Sequence, residues 1–388
     1  MNKFDLIATC HFGLESVLKR EIYNLGYTIK NVTDGRITFE GDSLAISRSN
    51  IFLRTAERVM IKVAEFKAEN FDELFENTKK IDIVNYIPKN AKFYVSKVSS
   101  INSKLFSART IQSMVKKAMV DKMCQVYKTD LIREIGSEYE FRVYINKDVV
   151  TIALDTSGKS LQMRGYRKYT TKAPISETLA SGLLQLTYWN KDRILVDPFC
   201  GSGTFLIEAA MLGKNIAPGM NREFISENYT NLIDKKLWYK ALEEANDLID
   251  NNVKLNLQGY DIDKSCIEAC IHNAHLAEVE KDIHFQVKDV NEFSSKHKYG
   301  FVVTNPPYGQ RLADEAEAKR LLKILSNKME ENETWSFYFI TSYENTKNCI
   351  KRKLTKNRKI YNGMIKTYFY TYEGLKPTKN GGKYGARE

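Results

Sequence analysis

Hydrophobic and polar positions recur at two spacings along this chain of 388 residues. In the first fifty residues, a strand pattern over 4–10 is followed by helical spacing over 14–25, and two further strand patterns flank the turn at 33–36. This order predicts a small unit of mixed α and β structure. We expect the next helix to contain Leu53 and Val59.

The following segment repeats this mixture. "KFYVSKVSS" alternates as a strand, and "LFSARTIQSMVKKAMVDKMCQVYK" has helical spacing. "YEFRVYINKDVVTIALDTSG" predicts a hairpin that turns at 146–148. We expect the cations of this segment to line one face, and they are Lys97, Lys104, Arg109, Lys116 and Lys117.

Beyond Pro174 the pattern changes to strands that alternate with helices. A first helix is predicted by apolar residues at helical spacing, namely Ile175, Leu179, Leu183 and Leu186. Buried strand patterns then recur between helical ones, which predicts a doubly wound, Rossmann-like α/β domain with a parallel sheet. The polar, glycine-rich end at 377–388 is expected to be disordered.

The net charge of +11 is concentrated in the first part of the chain. Residues 1–172 hold 29 Lys and Arg against 20 Asp and Glu, whereas the remainder holds 30 against 28. This imbalance favours a polyanion, such as RNA, as the partner of the first part. The loop "MRGYRKYTTKAP" interleaves cations with tyrosines, which suits phosphates and stacked bases, and its candidate contacts are Arg164, Arg167 and Lys168.

The sequence supports neither a membrane protein nor a metal-binding protein. No apolar run approaches bilayer length and the N-terminus lacks a signal-peptide pattern, so we expect a cytoplasmic protein. The cysteines have no CxxC spacing and no histidine at metal spacing, so we expect reduced thiols and no metal site. They are Cys10, Cys124, Cys200, Cys266, Cys270 and Cys349.

The stretch "RILVDPFCGSGTFLIEAAML" is the most specific part of the sequence. A buried strand at 194–196 leads through a turn of small residues at 197–203 into a helix. Small residues let a ligand approach the backbone, which indicates a nucleoside-bearing cofactor. No Walker Gly-Lys-Ser/Thr follows, and the absence of GxGxxG argues against NAD. The candidate cofactor contacts of this loop are Asp197, Phe199, Cys200, Gly201, Ser202, Gly203 and Thr204.

Two later strand patterns also end in acidic residues. "LQGYDID" ends in Asp261 beside Ile262, and "IHFQVKDV" ends in Asp289 beside Val290. Asp261 is suited to accept ribose hydroxyls, and Asp289 to accept the amino hydrogens of adenine. We therefore expect these residues to complete the cofactor site.

A fourth strand pattern runs into "TNPPYGQRL". Pro306 and Pro307 cannot donate to a strand ladder and stiffen the corner that follows. The side chain of Asn305 and the carbonyls of Asn305 and Pro306 provide acceptors, and Tyr308 provides a stacking face. This set suits a planar group with an exocyclic amine, as in adenine, cytosine and guanine.

These motifs resemble the class I S-adenosylmethionine-dependent methyltransferases that methylate amines and carry an (N/D/S)PP(Y/F) motif. More closely, the chain is similar to the THUMP-domain RNA methyltransferases, the group of the bacterial 23S rRNA guanine-N2 methyltransferase. The resemblance is carried by "RGYR", "KAPISETLASGLL", "DPFCGSGTFLIEAA", "GYDID", "KDV" and "TNPPYGQRL". It implies S-adenosylmethionine as cofactor and Asn305, Pro306, Pro307 and Tyr308 as the catalytic motif. It also implies a ferredoxin-like unit at 1–50, a THUMP RNA-binding domain at 51–160 and a methyltransferase domain at 161–376.

The resemblance implies methyl transfer to guanine N2 in 23S rRNA as the first expectation. The alternatives are a guanine N2 of tRNA, adenine N6 of DNA, and a non-catalytic RNA-binding assembly factor. The motif at Asn305 does not choose among the bases. Because no helix-turn-helix or other base-reading module is recognisable, DNA is disfavoured.

Overall fold

The residues described by the computed structural model are 3–170, 174–307, 312–363 and 365–376. Two predictions fall outside them: the role of Tyr308 and the disorder of 377–388. Within the described residues, no helix combines the length and the apolar composition needed to cross a membrane.

Strands and helices alternate along the described chain. The strands are β1 (Phe4–Thr9), β2 (Thr28–Thr33), β3 (Arg36–Gly41), β4 (Arg58–Lys67), β5 (Lys92–Ile101), β6 (Glu138–Asn146), β7 (Val149–Asp155), β8 (Leu195–Asp197), β9 (Leu257–Asp261), β10 (Ile283–Val287), β11 (Phe301–Thr304), β12 (Ser336–Thr341), β13 (Lys356–Asn362) and β14 (Ile365–Tyr372). The helices are α1 (Glu15–Asn24), α2 (Ser43–Phe52), α3 (Phe71–Lys79), α4 (Ala108–Tyr127), α5 (Glu177–Leu186), α6 (Thr204–Gly213), α7 (Lys235–Asp247), α8 (Lys264–Leu276) and α9 (Leu312–Glu331).

The chain divides into two compact units, and it passes between them repeatedly. Unit 1 comprises Met1–Cys10, Leu18–Gln162 and Ala217–Asp247. Unit 2 comprises His11–Val17, Met163–Ile216 and Leu248–Glu388. A segment that lies between α6 and β9 of unit 2 in the sequence therefore belongs to unit 1.

The described strands of unit 1 form one sheet in the order β2-β3-β1-β4-β7-β6-β5. β4 pairs antiparallel with β1 on one side and with β7 on the other. The prediction of a helix containing Leu53 and Val59 is wrong, because α2 ends at Phe52 and Val59 lies in β4. Arg58–Lys67 gains a neighbouring strand on each side, and these distant partners favour the extended conformation.

The segment inserted between α6 and β9 packs into unit 1. Arg48 of α2 donates two hydrogen bonds, of 2.8 and 2.7 Å, to the carboxylate of Glu244 on α7. The ring of Tyr139 in β6 stacks on Tyr229 with their centroids 4.2 Å apart. Both tyrosine side chains are buried, so this segment contributes to the core of unit 1.

The described strands of unit 2 follow the order β10-β9-β8-β11-β12-β14-β13. The first five are parallel, and β14 pairs antiparallel with both β12 and β13. This confirms the predicted parallel α/β sheet. Strand order reverses between β8 and β11, and ligand crevices of such sheets open at the carboxyl ends of the strands at this point.

Candidate active site

A cavity of about 1120 Å³ lies at the carboxyl ends of β8, β9 and β11. The sequence-predicted residues in its wall are Asp197, Phe199, Cys200, Gly201, Ser202, Thr204, Asp261, Asn305, Pro306, Pro307 and Lys168. Four of the predicted cofactor contacts, all of them described by the structure, do not line it: Gly203, Ile262, Asp289 and Val290. The cofactor loop and the start of the NPPY motif thus meet at one edge of the sheet.

The loop between β8 and α6 needs two glycines for its shape. Gly201 and Gly203 have φ angles of 54° and 83°, in the left-handed region that favours glycine. A Cβ atom on Gly203 would also lie 3.2 Å from the sulfur of Cys270. The backbone N–H of Gly201 donates to Oδ2 of Asp261 at 3.0 Å, which ties the loop to the end of β9.

Asp197 is a buried carboxylate in the wall of the cavity. It is 2% exposed and accepts hydrogen bonds from the backbone N–H of Phe199 at 3.1 Å and the hydroxyl of Thr304 at 2.5 Å. Burial raises the pKa of Asp197 to about 7, although both hydrogen bonds act to lower this pKa. Near neutral pH the group therefore exchanges between a neutral acid and a carboxylate.

The aspartates at the end of β9 and in the loops after β9 and β10 accept hydrogen bonds from nearby N–H groups. Asp261 accepts from the backbone of Asp263 at 3.0 Å, and Asp263 accepts from Ser265 at 2.8 Å as the N-cap of α8. Asp289 accepts from the backbone of Asn291 at 2.7 Å. Ile262, between the first two aspartates, is 71% exposed.

Asn305 follows the last residue of β11 and lines the cavity. Its Oδ1 atom is buried and has no hydrogen-bond partner in the part of the chain that the structure describes. A buried amide oxygen without a partner carries a free-energy cost of about 1–3 kcal/mol. A donor group brought by a ligand would remove this cost.

Three family models match the chain in sequence order. They describe an RlmL ferredoxin-like domain at residues 5–60, a THUMP domain at 68–155 and an RMKL-like methyltransferase domain at 164–370. The last covers more than half of the chain and contains the whole wall of the cavity. The chain belongs to the RMKL-like methyltransferase family. The resemblance stated from the motifs is confirmed.

Curated and solved relatives agree with this assignment. The chain is 45% identical over 374 residues, or 96% of each chain, to YpsC of Bacillus subtilis (strain 168), described as a candidate RNA methyltransferase. It is 32% identical over 323 residues to the ribosomal RNA large subunit methyltransferase K/L of Buchnera aphidicola, covering 80% of this chain and 46% of that relative. The chain thus spans about half the length of the second relative. The structure of SMU.472, a candidate methyltransferase complexed with SAH, has a TM-score of 0.91 at 36% identity and covers 97% of this chain and 100% of SMU.472.

One face of α8 lines the cavity of this methyltransferase and is not among the predicted site residues. Ser265, Cys266, Ala269 and His272 contribute to the wall; Ala269 lies three to four residues after the first two and His272 three after Ala269, which places them along one side of the helix. The ring of His272 stacks on Tyr169, with centroids 5.0 Å apart. The N-cap at Asp263 fixes the start of this helix and was the available signal, because side chains spaced this way share a face.

One predicted RNA contact of the methyltransferase is wrong. Arg164 is 3% exposed, and its Nε lies 3.5 Å from Oε1 of Glu208, so it is buried in an ion pair within the domain. The hydroxyl of Tyr166 donates to the same carboxylate at 3.1 Å. Arg167 donates to Glu177 at 2.8 Å. Of the three predicted contacts in this loop, Lys168 is exposed and lines the cavity.

The predicted basic face of unit 1 contains both paired and exposed cations. Lys104 forms an ion pair with Glu69, and Lys116 lies 2.9 Å from Glu134. The ammonium group of Lys117 lies 5.8 Å from the ring centroid of Phe75. The exposed members of the face are Lys97, Lys104, Arg109 and Lys117. Their convergence on one RNA remains a prediction.

Proposed function

We propose that this protein transfers a methyl group to the exocyclic N2 amine of a guanine in 23S rRNA. The observation that carries the proposal is the unpartnered, buried Oδ1 of Asn305 at the wall of the cavity. An amine hydrogen is the kind of donor that this oxygen lacks among the described residues. The methyl donor is S-adenosylmethionine, consistent with the family and with the SAH held by SMU.472.

The residues around the cavity fit this donor. The positive-φ glycines at 201 and 203 let a nucleoside approach the loop backbone, and Asp261 is suited to ribose hydroxyls. We propose that Asp289 contacts the adenine ring of the donor. Ile262, which follows Asp261, and Val290, which follows Asp289, are proposed to contact the same nucleoside. Because Asp197 lines the cavity, its carboxylate could accept the ammonium of the donor.

Bound S-adenosylmethionine supplies a methyl group on a positively charged sulfur. Asn305 Oδ1 and the Pro306 carbonyl accept the hydrogens of the target amine, which raises electron density on its nitrogen as the bond forms. Pro306 and Pro307 keep these acceptors fixed, so that catalysis relies on positioning. The proposed role of Tyr308 is to stack on the extruded base. As the carbon–nitrogen bond forms, the carbon–sulfur bond of the donor breaks, and the amine proton then passes to water, so none of these residues needs to act as a strong base.

The THUMP domain and the rRNA named for the Buchnera relative favour RNA as the substrate. A guanine of tRNA is the second choice and adenine N6 of DNA the third. The non-catalytic assembly factor is disfavoured because the cofactor loop, the cavity and the unpartnered Asn305 oxygen occur together.

An exposed aromatic ring supports an RNA-binding surface on unit 1. Phe106, in the loop between β5 and α4, is 82% exposed, and the preceding Leu105 is buried. The backbone N–H of Lys104 donates to Asp148 at 2.7 Å, which fixes this loop to the turn between β6 and β7. An exposed ring close in sequence to Lys104 and Arg109 would combine base stacking with phosphate binding.

The test is nucleoside mass spectrometry after the protein is incubated with methyl-labelled S-adenosylmethionine and nucleic acids from a strain that lacks this gene. We expect labelled N2-methylguanosine in large-subunit rRNA. Label in tRNA or in DNA adenine would replace the substrate assignment, and no label in any fraction would support the non-catalytic binder.

The Asn305→Ala variant tests the catalytic assignment directly. We expect it to lower the rate at least about 100-fold, since it removes an acceptor aligned for the transition state. Asn246→Ala, on the exposed side of α7, is the matched control. Equal rates for the two variants would contradict the role of Asn305.

A further inference from the structure

The strands that carry the cofactor loop and the NPPY motif are joined by a very short ladder. β8 and β11 are neighbours, and their register pairs Phe301 with Leu195 and Val302 with Val196. Beyond this ladder the Thr304 hydroxyl donates to Oδ1 of Asp197 at 2.5 Å. A side-chain bond therefore joins the two strand ends where the backbone pairing stops.

Both partners of this bond are shielded from water. Thr304 is 0% exposed and Asp197 is 2% exposed, so water does not compete readily for either group. Thr304 is bonded directly to Asn305, and Asp197 opens the cofactor loop. The bond thus lies between the two halves of the site.

We propose that Thr304 is a positioning residue for methyl transfer, whose hydroxyl bond to Asp197 sets the position of the Asn305 amide relative to the cofactor loop. This inference rests on the proposed function for its effect on rate. A β-branched residue has few side-chain conformations in a strand, so fixing the hydroxyl also fixes the backbone that leads into Asn305. Reacting groups displaced by about 1 Å can lose about 100-fold in rate.

The same hydrogen bond affects the pKa of Asp197, so the charge at the start of the cofactor loop depends on pH. The groups that interact electrostatically with Asp197 include the carboxylate of Asp261 at the end of β9 and the thiol of Cys200 in the loop. Burial and Asp261 favour the neutral acid, whereas the bonds from Thr304 and Phe199 favour the carboxylate. Loss of the Thr304 hydroxyl would raise the pKa of Asp197 further.

Two substitutions separate the hydroxyl from the shape of the side chain. Thr304→Val keeps the branched shape and removes the hydroxyl, whereas Thr304→Ser keeps the hydroxyl. We expect Thr304→Val to lower kcat about 10- to 100-fold with a smaller change in KM for RNA, and Thr304→Ser to stay within about threefold of wild type. Serine should therefore rescue what valine loses.

Two further measurements do not depend on activity. In calorimetric titration with SAH, the affinity should fall as pH decreases, and Thr304→Val should move the midpoint of this fall to higher pH while Thr304→Ser leaves it unchanged. Crystal structures of both variants should show Asn305 displaced from Asp197 in Thr304→Val alone.

An unchanged SAH midpoint and an unmoved Asn305 in Thr304→Val would overturn the proposal, as would equal losses in the valine and serine variants. If the wild-type protein methylates no RNA, the proposed function fails. The midpoint and the position of Asn305 would then still decide whether Thr304 acts as inferred.

Discussion

Because the carboxylate of Asp197 is buried, we expect the Asp197→Asn substitution to change both the stability of the protein and its affinity for SAH. In Asp197→Asn the amide oxygen can still accept from Phe199 and Thr304, so the substitution removes mainly the charge. We expect the variant to unfold at a higher urea concentration than wild type at pH 8, in the absence of cofactor. Its affinity for SAH should fall, because the partner proposed for the donor's ammonium is lost.

The size of the expected change in unfolding free energy follows from the pKa of Asp197. The ordinary aspartate pKa is 3.8 and the folded value is about 7, so the folded protein holds the proton more tightly than the unfolded chain does. The stabilising contribution of the protonated Asp197 side chain is fully present below pH 3.8 and is lost as pH rises through about 7. The full loss is on the order of 4 kcal/mol of unfolding free energy, and water entering the cavity would reduce it.

The assay is urea unfolding at several pH values from 4 to 8, followed by tryptophan fluorescence. Trp189 and Trp335 both lie in unit 2. The advantage of Asp197→Asn over wild type should be small near pH 4, grow up to about pH 7 and then level off. Asp130→Asn, at an exposed loop position, changes the net charge equally and should have little effect. A difference independent of pH, or a less stable Asp197→Asn at pH 8, would refute the reasoning.

Two other substitutions test the loop and the RNA surface. Gly203→Ala should cost about 1–3 kcal/mol of stability and weaken SAH binding in calorimetry, because φ is 83° and a Cβ would press on Cys270. Gly26→Ala is the control, because its φ of 89° is similar but no atom lies within 4 Å of the added carbon. Equal losses of stability in the two variants would show that the contact with Cys270 contributes nothing. Phe106→Ala should lower RNA affinity about 5- to 150-fold in filter binding with an unchanged salt dependence, because one stacked base is lost. Neutralising Lys104, Arg109 and Lys116 together should reduce the salt slope by about 2, and unchanged binding would place the RNA elsewhere.

Sequence patterns were sufficient where short-range order decides structure. The cofactor loop, the strand ends at Asp197 and Asp261 and the corner at Asn305 depend on neighbouring residues, and all three line one cavity. The parallel sheet was also predicted from alternation alone and is confirmed.

The predictions from sequence are wrong at positions whose structure depends on residues far away in the chain. Val59 lies in a strand because β1 and β7 flank it, and these lie far apart in the sequence. Arg164 is predicted as an RNA contact, but it is buried in an ion pair with Glu208, 44 residues later. The role of Thr304 depends on β8 and β11 being neighbours, which the order of elements along the chain does not reveal.

The repeated passage of the chain between its two units affects how the protein can be made or divided. Translation reaches Asp247, the end of the last segment of unit 1, after parts of unit 2 have already been synthesised. Unit 1 therefore cannot complete its core on the ribosome until α5 and α6 of unit 2 have emerged. A fragment that ends at Gln162 would lack Tyr229 and Glu244, the partners of Tyr139 and Arg48. Exchange of unit 1 between relatives would have to include Ala217–Asp247.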